Sequence, residues 1–263
     1  MSSSASAPDD DLSRLSEITD MCSTIQQVRQ AAACLGFSLD TQGRLRGVYP
    51  VKTQCSIYDD FITLEMLLTA PPTKNGKPVK LSLGDCYLLT VTLASSFLQL
   101  HTTPWIQPEW TREDIVFPAK GGASGHTIDV QRPFITQTYS PSKGDSLGIT
   151  STSDDDGARL LKLGTMLLEI FCGQRIEDRR QEENPKANAS PNDVSDVGVL
   201  RRWIRAKEKE GSLSWASKDA ISHCIACFAD PRADLHDSNF RQSVIDKVVV
   251  PLLGELHHWQ GSA

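Results

Sequence analysis

The sequence lacks the excess of basic residues that broad binding to nucleic acid or anionic lipid requires. Lys and Arg number 27 against 33 Asp and Glu, a formal net charge of −6, so no wide positive field exists to gather phosphates. Long apolar runs are missing as well: none approaches the roughly 20 residues that cross a bilayer as a helix. The opening MSSSASAPDDD has neither the basic start nor the apolar stretch of a secretory signal. Its small, acidic composition predicts a disordered tail over residues 1–11. These absences imply cytoplasmic residence, with no nucleic-acid and no membrane partner. GxGxxG and Walker phosphate loops and the HExxH metal motif are absent too.

What is present is ordinary for a globular chain: 263 residues, 39% hydrophobic and 23% charged, enough for one large domain or two lobes. The cysteines are seven, an odd count, and scattered. Most fall in apolar periodic segments, as buried thiols in a reducing compartment do. Cys224-Ile-Ala-Cys227 has the spacing of a metal or redox pair, but no second CxxC exists, and His223 is expected to face away from Cys227. No cofactor is implied. Arg201, Arg202, Arg205, Lys207 and Lys209 are diluted by Glu208 and Glu210 and read as a solvated helix face.

Apolar periodicity predicts a helix over 12–33, stopped by Gly36, then a hairpin over 37–49 around the turn Asp40–Gly43. A short helix is expected from Ile62 to Leu68 and a polar loop over 71–78. Ser82 and Asp85 suit a helix start, and Cys86–Leu100 is apolar nearly all round. The segment 158–172 is similar, with Asp154–Asp156 before it and Gly173 after it. Two such helices must be central. Ile128–Val130 and Phe134–Ile135 suit short strands within 118–157. Residues 174–192 read as polar and mobile. Helices follow near 193–210, 217–229 and 239–259, the last kinked or restarted at Pro251. The fold class is mainly α (α+β).

The order of these pieces resembles a protein kinase from its regulatory helix onward. Leu93-Ala-Ser-Ser-Phe-Leu-Gln-Leu-His101 is similar to the long helix leading to the catalytic loop. Leu161–Gly173 resembles the buried central helix of the large lobe, and Ile221–Pro231 a late helix ending in Asp-Pro. More narrowly, Ile18-Thr-Asp-Met-Cys22, Cys34-Leu-Gly-Phe37, Leu93–Ser96 and Leu98–Trp105 with Trp110 resemble an uncharacterised fungal family with a degenerate kinase-like domain, whose longer members carry a further helical region ahead of it. The resemblance implies a reduced small lobe over 12–60, one helix plus a short β-hairpin, and a kinase-like helical large lobe over 61–260.

Phosphoryl transfer needs positioned phosphates, metal ions and a base. Against that pattern the chain is expected to begin at the regulatory helix, where Glu17 has no upstream lysine to meet; Lys52 falls after the hairpin. Counting thirteen residues from His101 puts the metal-binding Asn position at Asp114. The catalytic-loop acid then falls on Glu109, and Asp129 sits near the Asp-Phe-Gly position. The kinase aspartate that opens the central helix aligns with Arg159. The resemblance therefore implies a pseudokinase, not an enzyme, that binds a protein partner. Trp105 and Trp110, a residue type enriched at binding hot spots, are candidate contacts, although a Trp after a helix end more often plugs the local core. The alternative is a divergent Mg²⁺-dependent nucleotide binder or phosphotransferase using Glu109, Asp114 and Asp129.

Overall fold

The computed structural model describes residues 35–39, 45–50, 60–74, 76–101, 110–120, 127–136, 156–183 and 193–261, in two units, Met1–Ile57 and Tyr58–Ala263. In the first unit β1 (Leu35–Leu39) and β2 (Leu45–Pro50) pair antiparallel, where the sequence predicts a hairpin. Gly36, expected to stop a helix, lies inside β1 opposite Tyr49, beside a register shift before Ser38. A glycine at such an irregularity is common, because it accepts the local bend. The helix expected over 12–33 lies outside the described residues.

The second unit is mainly helical with small antiparallel sheets. The helix expected from Ile62 divides: Asp60–Thr63 is a strand, β3, and α1 spans Leu64–Thr69. Thr63 makes the division, because its side chain accepts the Met66 N–H at 3.0 Å and caps the helix. Residues 71–78, expected as loop, include a small ribbon, β4 (Thr73–Lys74) with β5 (Lys77–Pro78), next to Gly76 at φ +74°. Next, α2 (Leu83–Leu100) opens on a reciprocal cap: Ser82 Oγ accepts the Asp85 N–H at 3.1 Å and Asp85 accepts the Ser82 N–H at 3.0 Å. By length and composition alone α2 could cross a membrane. Here Leu89, Leu93, Ala94 and Phe97 are buried in the core.

The sheet is centred on β6 (Ile115–Lys120), which pairs with β3 on one edge and with β7 (Thr127–Ile128) and β8 (Phe134–Ile135) on the other. A proline in a central strand removes one ladder donor. Pro118 sits there, and its carbonyl still accepts the Asp129 N–H at 2.9 Å.

As the all-round apolar pattern requires, α3 (Asp156–Cys172) runs through the core; Leu160, Leu163, Leu167 and Leu168 are wholly buried, and Gly173 ends it at φ +61°. Of residues 174–192, read as polar and mobile, 184–192 lie outside the described residues, while Ile176–Glu183 form a helix, α4. Its composition is polar, but tertiary partners hold it: Ile176 is buried, Arg180 pairs with Asp196, and Glu183 accepts from Arg202 at 2.7 Å. Then come α5 (Asp193–Lys209), α6 (Trp215–Cys227) and α7 (Ser238–Val244). A π-helical turn, Ile245–Val249, leads into α8 (Val250–Gln260). Pro251 explains the wide turn. It cannot donate, and its ring would press on the preceding turn of an α-helix, so the backbone opens just before it.

α3 packs closely against α6. A Cβ built on Gly164 would stand 2.8 Å from Cys224 Cβ and 3.4 Å from the Ile221 carbonyl. Gly164→Ala is expected to cost about 1–3 kcal/mol through overpacking, despite the better helix propensity of alanine. Urea unfolding reads this directly. Adding Cys224→Ala should not restore stability, because alanine keeps the obstructing Cβ.

Candidate functional site

Asp114, Asp129 and Trp110 fall among the described residues; Glu109 and Trp105 lie outside them. Asp114 sits in the turn ahead of β6, where its Oδ2 accepts the Thr111 N–H at 2.6 Å and the Thr111 hydroxyl at 3.0 Å. Asp129 follows β7. Its carboxylate meets Arg132 at 2.6 Å and accepts the Gln131 N–H at 3.2 Å. The two acids are not brought together. Asp129 meets β6 at Pro118, four residues along the strand from Asp114, or about 13 Å at ~3.3 Å per residue. The residue across the ladder from Asp114 is Thr136, whose N–H donates to the Asp114 carbonyl at 2.8 Å. The β7 register, with Ile128 opposite Ala119, sets Asp129 against Pro118, and the turn after it leads into β8. A 430 Å³ cavity beside it is lined by Lys80, Asp85, Asp129 and Arg132 among others. Among the described residues no group of three or more His, Cys, Asp or Glu is placed to hold a metal ion.

Trp110 is 3% exposed and stacks on Phe97 with ring centroids 5.7 Å apart. It plugs the core rather than offering a surface contact. Arg159 lies over the same Phe97 ring at 5.6 Å. Around it the ends of several elements are tied together by buried polar groups. Arg159 donates to the His101 carbonyl at 3.3 Å and meets Asp156 at 3.4 Å. Asp156 in turn accepts the Leu235 N–H at 2.7 Å, and the His101 ring contacts the Leu98 and Leu235 carbonyls at 2.8 and 3.1 Å. Asp156 is the first residue of α3, one turn before Arg159.

A cluster of charges has no counterpart in the sequence reading. Arg112 binds Glu65 at 2.8 Å, Glu177 at 3.0 Å, and Glu169. Arg175 binds Glu65 and Asp178, each at 2.8 Å. Glu169 belongs to the last turns of α3 and is fully buried. One of its oxygens takes both Arg112 and the Ile176 N–H, the latter at 2.8 Å. Burial pushes its carboxyl up to about 7, although Arg112 and the Ile176 amide pull the other way. Glu177 and Asp178 go down instead. For Asp178 the main cause is the hydrogen bond from Arg175; for Glu177, hydrogen bonds and the charge of Arg112 outweigh desolvation. Except for Arg175 and Asp178, three residues apart, these partners are 47 to 110 residues apart in the chain, so no local spacing signals the cluster. Among the described residues Trp215, at 74%, and Trp259, at 55%, are exposed, as are Phe61 and Phe134.

Cys224 and Cys227 are buried, and burial pushes the Cys227 thiol up to about 11, which suits inert structural thiols. His223 does not diverge from Cys227 as expected. One helical turn apart on α6, they share a face, with Nε2 3.7 Å from Sγ.

A raised carboxyl binds its proton more tightly in the folded state, so the stability it contributes is complete below the usual value near 4.5 and is lost as pH rises through 7. Relative to Glu169→Gln, the wild-type protein should lose about 3 kcal/mol between about pH 4.5 and about pH 8. Urea unfolding of both proteins across that range measures it. A constant difference would mean that the Arg112 pair keeps the carboxyl ionised throughout.

No curated protein matches the chain. A family model described as a domain of unknown function (DUF7580) matches residues 3–259. That span takes in nearly the whole of both units, and the chain therefore belongs to the DUF7580 family.

Proposed function

We propose that this protein is a non-catalytic, kinase-like (pseudokinase) module that acts by binding a protein partner. The observation that carries the reading is the local engagement of its acids. Asp114 is occupied in the Thr111 turn and Asp129 by Arg132, about 13 Å apart along the ladder. Phosphoryl transfer relies on acids converging on metal-bound phosphates, and these two do not converge.

The order of elements supports the kinase-like part of the reading. A strand runs into a short helix, a long buried helix ends at His101, a small antiparallel ladder follows, and a second buried helix comes after it. Arg159, at the start of that second helix, bonds the His101 carbonyl, so the segment resembling the catalytic loop is anchored at its entrance by a cation in place of a carboxylate. For the partner we favour the exposed indoles of Trp215 and Trp259. Trp259 packs against Tyr87 at 6.4 Å while staying half-exposed, and such residues dominate interface energetics.

Thermal melting with ATP and Mg²⁺ tests the non-catalytic reading. A nucleotide at about a hundred times its Kd would add about 2.7 kcal/mol of stability; no shift is expected. A Mg²⁺-dependent rise that disappears in Asp129→Ala would overturn the reading in favour of a nucleotide-binding site.

A further inference from the structure

A cavity of 330 Å³ runs along α3, closed by Trp110–Arg112, the start of α4 and Asp196 of α5. Three buried polar atoms of its lining side chains have no partner among the described residues: Trp110 Nε1, Arg159 Nε and Glu169 Oε2. A buried polar atom left unsatisfied costs roughly 1–3 kcal/mol, and folded proteins satisfy nearly all of them. Three around one cavity point to a ligand that pairs with them.

The cavity is polar in a directional sense. Arg159 and Lys162 lie one turn apart on α3, and Lys162 has no ion pair among the described residues. With the Trp110 indole N–H, whose ring shares Phe97 with Arg159, they make a donor-rich end whose net positive charge comes from Lys162, because Arg159 pairs with Asp156. The other end is acidic. Glu169 and Glu177 line it, and the cluster they belong to sets four carboxylates, Glu65, Glu169, Glu177 and Asp178, against two guanidiniums, Arg112 and Arg175. Arg159 and Glu169 are about 15 Å apart along the helix at ~1.5 Å per residue. Side chains reaching inward from both ends leave room for a ligand about 8–10 Å long, the reach of about three extended residues. Met166 and Ile176 give the middle an apolar wall.

We propose that this cavity binds a small, extended zwitterion, its carboxylate held by Trp110, Arg159 and Lys162 and its amine by Glu169 and Glu177. A free ω-amino acid and a short peptide share this chemistry. The proposal stands apart from the kinase resemblance, since it uses only the cavity and its lining.

The test titrates the protein with ε-aminocaproate, triglycine, caproate and hexylamine, following the indole N–H resonance of Trp110, assigned through Trp110→Phe, and the heat of binding. One or both zwitterions should bind about tenfold tighter than caproate and hexylamine and shift that resonance. Preference for ε-aminocaproate assigns a free ω-amino acid, and preference for triglycine a peptide. Glu169→Gln should abolish the advantage over caproate while caproate binding persists. Lys162→Met should abolish the advantage over hexylamine, with melting curves showing both variants folded. Equal affinity for all four probes, an unmoved Trp110 resonance, or a crystal structure in which water alone bridges Trp110 Nε1 and Glu169 Oε2 would overturn the proposal.

Discussion

A carboxylate shut away from water near the end of the central helix organises the surroundings of the site. Glu169 stands in the last turns of α3, where the helix dipole disfavours negative charge, and it is fully buried. Such a position is tolerable only with strong partners. It has two: the Arg112 guanidinium, brought in by the segment ahead of β6, and the Ile176 amide that starts α4. One side chain thus joins the helical core, the sheet and a helix whose own sequence would not stand alone. Arg112 extends the tie to Glu65 on α1.

The opposite end of the same helix is held differently. Asp156 lies where the dipole favours an acid, and it accepts the Leu235 amide; Arg159 beside it reaches back to the His101 carbonyl. Between the two anchors α3 packs closely on α6, with Gly164 leaving no room for a methyl group. The side of α3 between its two charged ends borders the cavity, whose lining includes three of the six buried polar atoms that lack a partner among the described residues. Rigid walls with unpaired donors and acceptors are what a binding site needs, because no reorganisation precedes ligand capture.

Much of the helical body was legible in the residues themselves. Ser82 and Asp85 announced their reciprocal cap, the all-round apolar pattern of α2 and α3 announced central helices, and Gly173 announced a helix end. The strands were harder. Pro118 conceals a central strand, and Ile62 reads as helical until β6 supplies its ladder partner. α4 was illegible for a related reason: one apolar residue among charges has no periodicity, and its stability comes from Arg180–Asp196 and Glu183–Arg202. The separation of Asp114 from Asp129 follows from the antiparallel register of β7 on β6, which counting along the chain does not give.

Sequence alone determined the properties that act through neighbours a few residues away: caps, helix faces, turn glycines, and the absence of a phosphate loop. These depend on backbone geometry repeated every turn or every second residue, and composition encodes them directly. Tertiary structure decided which charges meet, which tryptophan is core and which is surface, and where a cavity is left open. Those outcomes depend on groups such as Glu65, Arg112 and Glu169, which are far apart in the chain. Their pairing follows from how whole elements pack, so no local pattern foretells it.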